Sequence, residues 1–124
     1  MKATGPLVSV VDDDESVRES LPDLLRELGF TPQAFSSAEE FLDSGNVGGT
    51  QCLILDVAMP GMTGPELQRE LTLRGHPIPT IFITAHKDDF VRARLIDQGA
   101  VECLFKPFND AALHEALTLA LRKT

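Results

Sequence analysis

The sequence predicts an α/β domain in which five parallel strands alternate with five helices. Five short apolar runs are each followed by a segment whose apolar residues recur at helical spacing. Strands that are apolar on both faces belong in a parallel sheet that helices cover on both sides. Five such units in 124 residues favour the flavodoxin-like (βα)5 doubly wound sandwich, with a parallel five-stranded sheet of order 2-1-3-4-5.

Turn-forming residues mark the ends of these elements. Gly29 and Gly99 follow the first and fourth helices, and the Pro- and Gly-rich stretch 59–64 is a loop. The predicted strands are 7–11, 31–35, 52–55, 80–83 and 101–105. The predicted helices are 15–28, a short one from a Ser36 or Ser37 cap to near Gly45, 65–73, 88–98 and 110–122.

The composition is typical of one globular domain that does not bind nucleic acid or span a membrane. A chain of 124 residues, 43% of them hydrophobic, can bury a core of its own. The formal net charge of −8 argues against direct nucleic-acid binding, which needs a basic face. No apolar stretch approaches the ~20 residues that span a bilayer, and Cys52 and Cys103 are too few for a disulfide framework. We therefore expect a cytoplasmic protein with buried, reduced thiols.

Polar residues follow four of the five predicted strands. The carboxyl ends of parallel strands meet at one edge of the sheet, and doubly wound sheets bind their ligands there. Strand one leads into Asp12 and Asp13, strand three into Asp56, strand four into Thr84 and strand five into Lys106. The sequence thus gathers carboxylates, a hydroxyl and an ammonium at a single edge.

The carboxylates at this edge predict a Mg²⁺ site. Strands one and three are neighbours in the predicted order, about 4.8 Å apart. Asp12 or Asp13 should therefore face Asp56 directly. Clustered carboxylates repel one another unless a proton or a cation intervenes, and hard oxygen ligands suit Mg²⁺.

The same residues suit the transfer of a phosphoryl group to Asp56. An ionised carboxylate is already a nucleophile, and carboxylates form acyl phosphates in covalent catalysis. Phosphoryl transfer depends on positioning and on stabilising the negative charge of the oxygens. The metal, the Lys106 ammonium, and the Thr84 hydroxyl with the Ala85 amide can each stabilise one of them.

Each of these residues also has a simpler structural explanation. Asp13 or Asp14 could cap the first helix, and Asp56 could form an ordinary turn. Thr84 could bond to its own turn, and Lys106 could be a solvated surface charge. Their joint placement at the ends of different strands favours a site over separate coincidences.

Four motifs follow one another along the chain. They are Val-Asp-Asp-Asp at 11–14, Leu-Asp-Val-Ala-Met-Pro-Gly-Met-Thr-Gly at 55–64, Ile-Thr-Ala at 83–85 and Phe-Lys-Pro-Phe at 105–108. In these motifs the chain resembles the receiver domain of bacterial two-component response regulators over essentially its whole length. The runs 17–21 and 84–88 look most like the FixJ-type branch of that family.

The resemblance implies a phosphoacceptor switch that promotes its own phosphorylation and dephosphorylation, rather than an enzyme. Asp56 would accept the phosphoryl group from a histidine of a sensor histidine kinase, and Thr84 and Lys106 would bind that group. The implied Mg²⁺ ligands are Asp13, Asp56 and the Ala58 backbone carbonyl, with Asp12 reaching the metal through water.

Cys103 departs from the family's pattern. Receivers usually relay the switch through Thr84 and an aromatic residue three positions before the lysine, and that position is Cys103 here. A buried thiol would fill the space without the aromatic coupling. Ala58 and His86 flank the expected phosphoryl site, and we hypothesise that they set the lifetime of the phosphorylated state.

The resemblance also bears on the output. The FixJ-type branch normally carries a helix-turn-helix domain after the receiver. We therefore expect residues 1–124 to be the N-terminal receiver domain of a longer transcription regulator, with a stand-alone receiver as the alternative. Dimerisation on phosphorylation would use the fourth helix and the fifth strand, and this domain would not itself bind nucleic acid.

Three other functions share parts of the pattern. A haloacid-dehalogenase-like phosphatase also uses a strand-end aspartate with Mg²⁺ and lysine. Asp12 and Asp14 fit its spacing, but Asp56 and Thr84 are then unexplained. An interaction module that keeps the fold but is never phosphorylated is the second alternative. A flavin electron carrier is the third, although no Ser/Thr-rich phosphate loop follows the first strand.

Overall fold

The computed structural model describes residues 5–122, in which five strands alternate with five α-helices. A short 3₁₀ helix, Val47–Gly49, precedes the third strand. The strands are β1 (Leu7–Val11), β2 (Thr31–Phe35), β3 (Cys52–Asp56), β4 (Thr80–Thr84) and β5 (Glu102–Phe105). The helices are α1 (Glu15–Glu27), α2 (Ala38–Asp43), α3 (Gly64–Leu73), α4 (Asp89–Asp97) and α5 (Asp110–Arg122).

The sheet has the predicted topology. Its strands are all parallel and lie in the order β2-β1-β3-β4-β5, which confirms the flavodoxin-like doubly wound arrangement. The register aligns the strand ends, because Val11 lies beside Phe35 on one side and Leu55 on the other. Thr84 likewise pairs with Phe105. The segments that leave these strands therefore emerge together at the carboxyl edge of the sheet.

Each face of the sheet carries its own apolar core. Alternate strand residues point to opposite faces, so neighbouring positions of β1 such as Val10 and Val11 belong to different cores. Helices α1 and α5 cover the face that contains Val10, and α2, α3 and α4 cover the other. Cys52 and Cys103 are both buried and free, as predicted. None of the helices within 5–122 is long and apolar enough to cross a membrane.

Side-chain caps define where the helices begin. Asp14 caps α1, and its carboxylate accepts a hydrogen bond from the Ser16 amide. Of the two candidate serines, Ser37 caps α2. Thr63 and Glu66 form a capping box at the start of α3. These caps direct the acidic segment after β1 and the loop after β3 into their helices.

Helices α1 to α4 differ slightly from the prediction at their ends, and α1 ends at Glu27 because Leu28 is its C-cap. Helix α3 begins at Gly64 rather than Pro65, because Thr63 takes the cap position. Helix α2 ends at Asp43, before Gly45, and α4 is shorter than predicted by one residue at each end. The residues that the prediction counted as helical there are caps, which are only half within the helix.

Gly64 lies against the backbone of β3. Its amide donates a hydrogen bond to the Val57 carbonyl at 3.0 Å. A Cβ at this position would collide with the carbonyl oxygen of Asp56 and would lie 3.0 Å from the Phe82 ring. The start of α3 can therefore approach the end of β3 this closely only with glycine.

We predict that Gly64→Ala lowers the free energy of unfolding by about 2–3 kcal/mol, because α3 must move away from β3. Urea denaturation measures the change. Gly48→Ala is the matched control, since the nearest atom to a Cβ there is His76 Cε1 at 4.0 Å. The control should change stability by less than about 0.5 kcal/mol. Equal effects of the two substitutions would contradict the steric explanation.

Candidate functional site

Three carboxylates meet at the carboxyl edge of the sheet. Asp12 and Asp13 directly follow β1, and Asp56 is the last residue of β3. One oxygen of each side chain lies within 4.8 Å of the others. Asp12 and Asp56 are buried, whereas Asp13 is exposed. The pairing of β1 with β3 thus brings together the acidic residues that the strand order predicted to be neighbours.

Asp12 is fully buried, and protein groups hold it on every side. Its Oδ2 accepts a hydrogen bond from Lys106 Nζ at 3.0 Å, and its Oδ1 accepts one from the Asp14 amide at 2.9 Å. Its own amide donates to the Phe35 carbonyl at 3.1 Å. Its carbonyl accepts from Arg18 at 3.0 Å. Asp12 is therefore a fixed part of the site, and it forms an ion pair with Lys106.

Lys106 brings a positive charge into the acidic cluster. Its Nζ lies 3.0 Å from Asp12 Oδ2 and 3.9 Å from Asp56 Oδ1, and its side chain is only 18% exposed. The Lys106 amide donates to the Thr84 carbonyl at 2.8 Å, and the peptide bond to Pro107 is cis. The simpler explanation of Lys106 as a solvated surface charge is therefore wrong.

The environment of Asp56 raises its pKa to about 7. Burial is the largest cause, and the negative charge of Asp12 is the next. Lys106 acts in the opposite direction, while the adjacent Asp13 raises the pKa further. The protein alone does not fully offset the repulsion in this cluster. The oxygen-only donor set and the excess negative charge fit a hard divalent cation such as Mg²⁺.

Thr84 and Ala58 complete the set of predicted residues. Thr84 is buried at the end of β4, and its Oγ1 accepts a hydrogen bond from the His86 amide at 3.1 Å. This is the turn contact of the simpler explanation, but it leaves the hydroxyl hydrogen free to donate elsewhere. Ala58 is exposed two residues after Asp56, in the loop that connects β3 to α3. His86 is also exposed.

Arg18 is a further residue of the site that the motifs did not indicate, and its guanidinium donates to the Asp12 carbonyl. The spacing of Asp14 and Arg18 in the sequence could have indicated this contact. Arg18 lies four residues after the helix cap Asp14, and residues four apart share one face of a helix. A long cationic side chain on that face can reach back to the loop that precedes the helix.

Cys103 is buried in β5 at the position where receivers usually have an aromatic residue. It is 2% exposed, and burial raises the pKa of its thiol to about 11, so it remains protonated. Arg92 of α4 donates to the Cys103 carbonyl at 3.1 Å and to Glu102 at 2.7 Å. Helix α4 is therefore connected to β5 by polar contacts at this position.

Known proteins match both the sequence and the fold. The family model for the response regulator receiver domain matches residues 8–118. The chain is 40% identical to the response regulator protein TodT of Pseudomonas putida over 122 residues, 98% of this chain and 54% of TodT. It is 40% identical to the transcriptional regulatory protein FixJ of Azorhizobium caulinodans over 117 residues, 94% of this chain and 56% of FixJ. The structure of response regulator StyR matches with a TM-score of 0.86 and 46% identity, covering 96% of this chain and 60% of StyR.

The chain therefore belongs to the response regulator receiver domain family of two-component systems, and the resemblance to its FixJ-type branch is confirmed. The chain spans about half the length of the curated relatives it matches. FixJ is a transcriptional regulator by name, so the matched domain occurs in proteins that control transcription.

The raised pKa of Asp56 predicts how stability depends on pH. The folded chain holds this proton up to about pH 7, whereas an unfolded chain releases it near pH 3.9. The contribution of Asp56 to stability is therefore complete below about pH 4 and is lost as the pH rises through about 7. Without divalent cations, Asp56→Asn should raise the free energy of unfolding by about 1–2 kcal/mol at pH 8, and by less at pH 5.

Thermal unfolding in EDTA at the two pH values measures this difference. Glu115→Gln is the control, because Glu115 is an exposed carboxylate on α5, away from the cluster. If Asp56→Asn is no more stable than the wild type at pH 8, the cluster does not destabilise the folded chain.

Proposed function

We propose that this domain is a phosphoacceptor switch in which Asp56 takes a phosphoryl group in a Mg²⁺-dependent reaction. The position of Asp56 is the main observation that supports this proposal. Its carboxylate is buried at the end of β3, beside Asp12 and Asp13, with Lys106 Nζ at 3.9 Å. Receiver domains of two-component systems interact with sensor histidine kinases, so the donor would be a phosphohistidine of such a kinase.

Mg²⁺ would be held by the residues at the end of β1 and β3. The proposed ligands are Asp13, Asp56 and the Ala58 backbone carbonyl, with Asp12 contributing through water. When bound, Mg²⁺ supplies positive charge that lowers the pKa of the carboxylates and neutralises phosphoryl oxygens. The exposure of Asp13 and Ala58 supports this assignment, because a metal that keeps several waters needs ligands facing solvent.

In the proposed reaction the ionised Asp56 oxygen attacks the phosphorus of the phosphohistidine. The new P–O bond forms as the P–N bond breaks, and the bonding electron pair leaves with the imidazole nitrogen. Lys106 can stabilise one phosphoryl oxygen, because its ammonium is already within 4 Å of both Asp12 and Asp56. The Thr84 hydroxyl and the Ala85 amide would stabilise another.

Phosphorylation would then alter the surface formed by α4 and β5. The modification adds about −1.5 to −2 charges to an acidic pocket, and Thr84 would move toward the new group. Since Cys103 has no ring to rotate, the contacts of Arg92 with β5 would connect a movement of this strand to α4. Phe90 and Ile96 of α4 are 72% and 37% exposed, which supports dimerisation through this surface.

The output would be transcriptional control by a separate DNA-binding domain in a cytoplasmic regulator. The relatives TodT and FixJ are about twice the length of this chain, which supports a further domain in the whole protein. The phosphatase alternative would need Asp12 as the nucleophile. Both oxygens of Asp12 already accept hydrogen bonds in a fully buried position, so the structure does not favour it.

We expect acetyl phosphate with Mg²⁺ to add one phosphoryl group to the wild-type domain, as intact mass spectrometry measures. EDTA should abolish the addition because it removes the cation. Asp56→Asn should abolish it because it removes the carboxylate oxygen that accepts the phosphoryl group. Lys106→Met should slow it on the order of 10²-fold, since an oxygen of the transferred group loses its ammonium.

Asp43→Asn is the control, because it removes an exposed carboxylate from α2. A folded wild type that gains no phosphate in Mg²⁺ would overturn the proposed function. Size-exclusion chromatography of the phosphorylated sample separately tests the dimer. Unchanged elution would remove the dimer proposal and leave the phosphoacceptor role standing.

Ala58 and His86 should set the lifetime of the phosphorylated state. Both are exposed beside the phosphoryl site, where a hydrolytic water must approach. We expect Ala58→Asn and His86→Ala to change the half-life of the phosphorylated domain severalfold while phosphorylation at Asp56 persists. His114→Ala, an exposed histidine on α5, is the control. Half-lives equal to that of the wild type would reject this role.

A further inference from the structure

Arg18 contacts the acidic segment but has no role in the proposed phosphoryl chemistry. It lies on the first turns of α1, half-buried, and its guanidinium donates to the Asp12 carbonyl at 3.0 Å. A charged donor forms a stronger hydrogen bond to a carbonyl than a neutral donor does. The contact therefore fixes the orientation of the peptide group that joins Asp12 to Asp13.

The backbone on either side of Asp13 is held at several points. The Asp12 amide is bonded to the Phe35 carbonyl of β2, and the Asp14 amide is bonded to the Asp12 side chain. Asp13 itself is exposed. Packing does not restrain an exposed side chain, so the direction of the Asp13 carboxylate depends on this backbone. Arg18 holds the Asp12 carbonyl, which belongs to the peptide group that precedes Asp13.

The positive charge of Arg18 also lies near a carboxylate of a neighbouring helix. Hydrogen bonds from Ser36 are the main reason that the pKa of Glu40 on α2 is lowered, and Arg18 adds a smaller effect. Arg18 thus brings a positive charge to the acidic segment after β1, as Lys106 brings one to Asp12 and Asp56.

We propose that Arg18 is a positioning residue for the metal site: it holds the Asp12–Asp13 peptide so that the Asp13 carboxylate faces Asp56. This inference rests on the proposed function, in which Asp13 and Asp56 are metal ligands. Positioning and charge have opposite consequences for a divalent cation. A positive charge near the site repels Mg²⁺, so loss of charge alone would tighten binding, whereas loss of positioning weakens it.

The test compares Arg18→Met, Arg18→Lys and Arg26→Met with the wild type. Methionine keeps the apolar stem but has no donor and no charge, and lysine keeps both a donor and the charge. Arg26 is the matched control on the same helix, since it is exposed and paired only with the exposed Asp23 among the described residues. ¹⁵N-labelled domains are titrated with MgCl₂ in the absence of phosphate, and the dissociation constant is taken from the amide shifts.

We expect Arg18→Met to weaken Mg²⁺ binding by about tenfold, with Arg18→Lys restoring most of the affinity and Arg26→Met leaving it unchanged. In the metal-free protein, hydrogen exchange at the Asp14 amide, which donates to the Asp12 side chain, should accelerate in Arg18→Met alone. Well-dispersed spectra establish that each variant is folded, and if Arg18→Met is not, Arg18→Gln replaces it.

Mg²⁺ binding by Arg18→Met that equals or exceeds wild-type affinity would overturn the inference, because Arg18 would then act through its charge or not at all. A wild type that binds no Mg²⁺ would instead contradict the proposed function. The exchange rate of the Asp14 amide still decides in that case whether Arg18 positions this segment.

Discussion

The site depends on the pairing of two buried strands that both end in carboxylates. Every residue of β3 is buried, and the paired part of β1 from Val8 to Val11 is buried as well. Hydrophobic burial holds these strands side by side, and their ends must then accept Asp12 and Asp56 as neighbours. Lys106 offsets part of the repulsion from the other side of the cluster. The packing of the apolar core thus forces carboxylates together, and Lys106 offsets only part of the repulsion between them.

That unrelieved repulsion favours the binding of a positive charge at the cluster. A folded chain that holds Asp56 with a pKa near 7 binds a proton there more tightly than the unfolded chain does. Any cation that occupies the cluster recovers part of the free energy that the clustering costs, and therefore stabilises the fold. The strain is concentrated at one edge of the sheet, while the two apolar cores on its faces supply the stability that tolerates it.

Residues without a role in the proposed chemistry also stabilise the carboxyl edge of the sheet. Gly64 lets α3 approach β3 closely, Asp14 caps α1, and Arg18 holds the peptide between the two acidic residues. Farther away, Arg92 connects α4 to β5 beside the buried Cys103. A thiol has no ring to rotate, so the bonds of Arg92 to the Cys103 carbonyl and the Glu102 side chain are the polar connection between α4 and β5 at this position.

The order and type of the elements could be read from the sequence, because apolar periodicity and turn residues act locally. Thr63 shows the limit of that approach: its cap shifts the start of α3 by one residue, and whether a residue caps or belongs to a helix depends on bonds that the pattern does not contain. Asp12, Asp13 and Asp56 could be placed together because the strand order alone makes their strands neighbours.

Other features of the site needed the tertiary structure. Lys106 bonds to Asp12 rather than standing in solvent, and Thr84 Oγ1 accepts from His86. Which carboxylates are buried, and which way a long side chain such as that of Arg18 extends, depends on packing between segments far apart in the chain. The sequence by itself determined which chemical groups reach the carboxyl edge, because local patterns show where each strand ends and which residues follow it. Only the tertiary structure decided how those groups pair, because pairing depends on distances and burial that no local pattern contains.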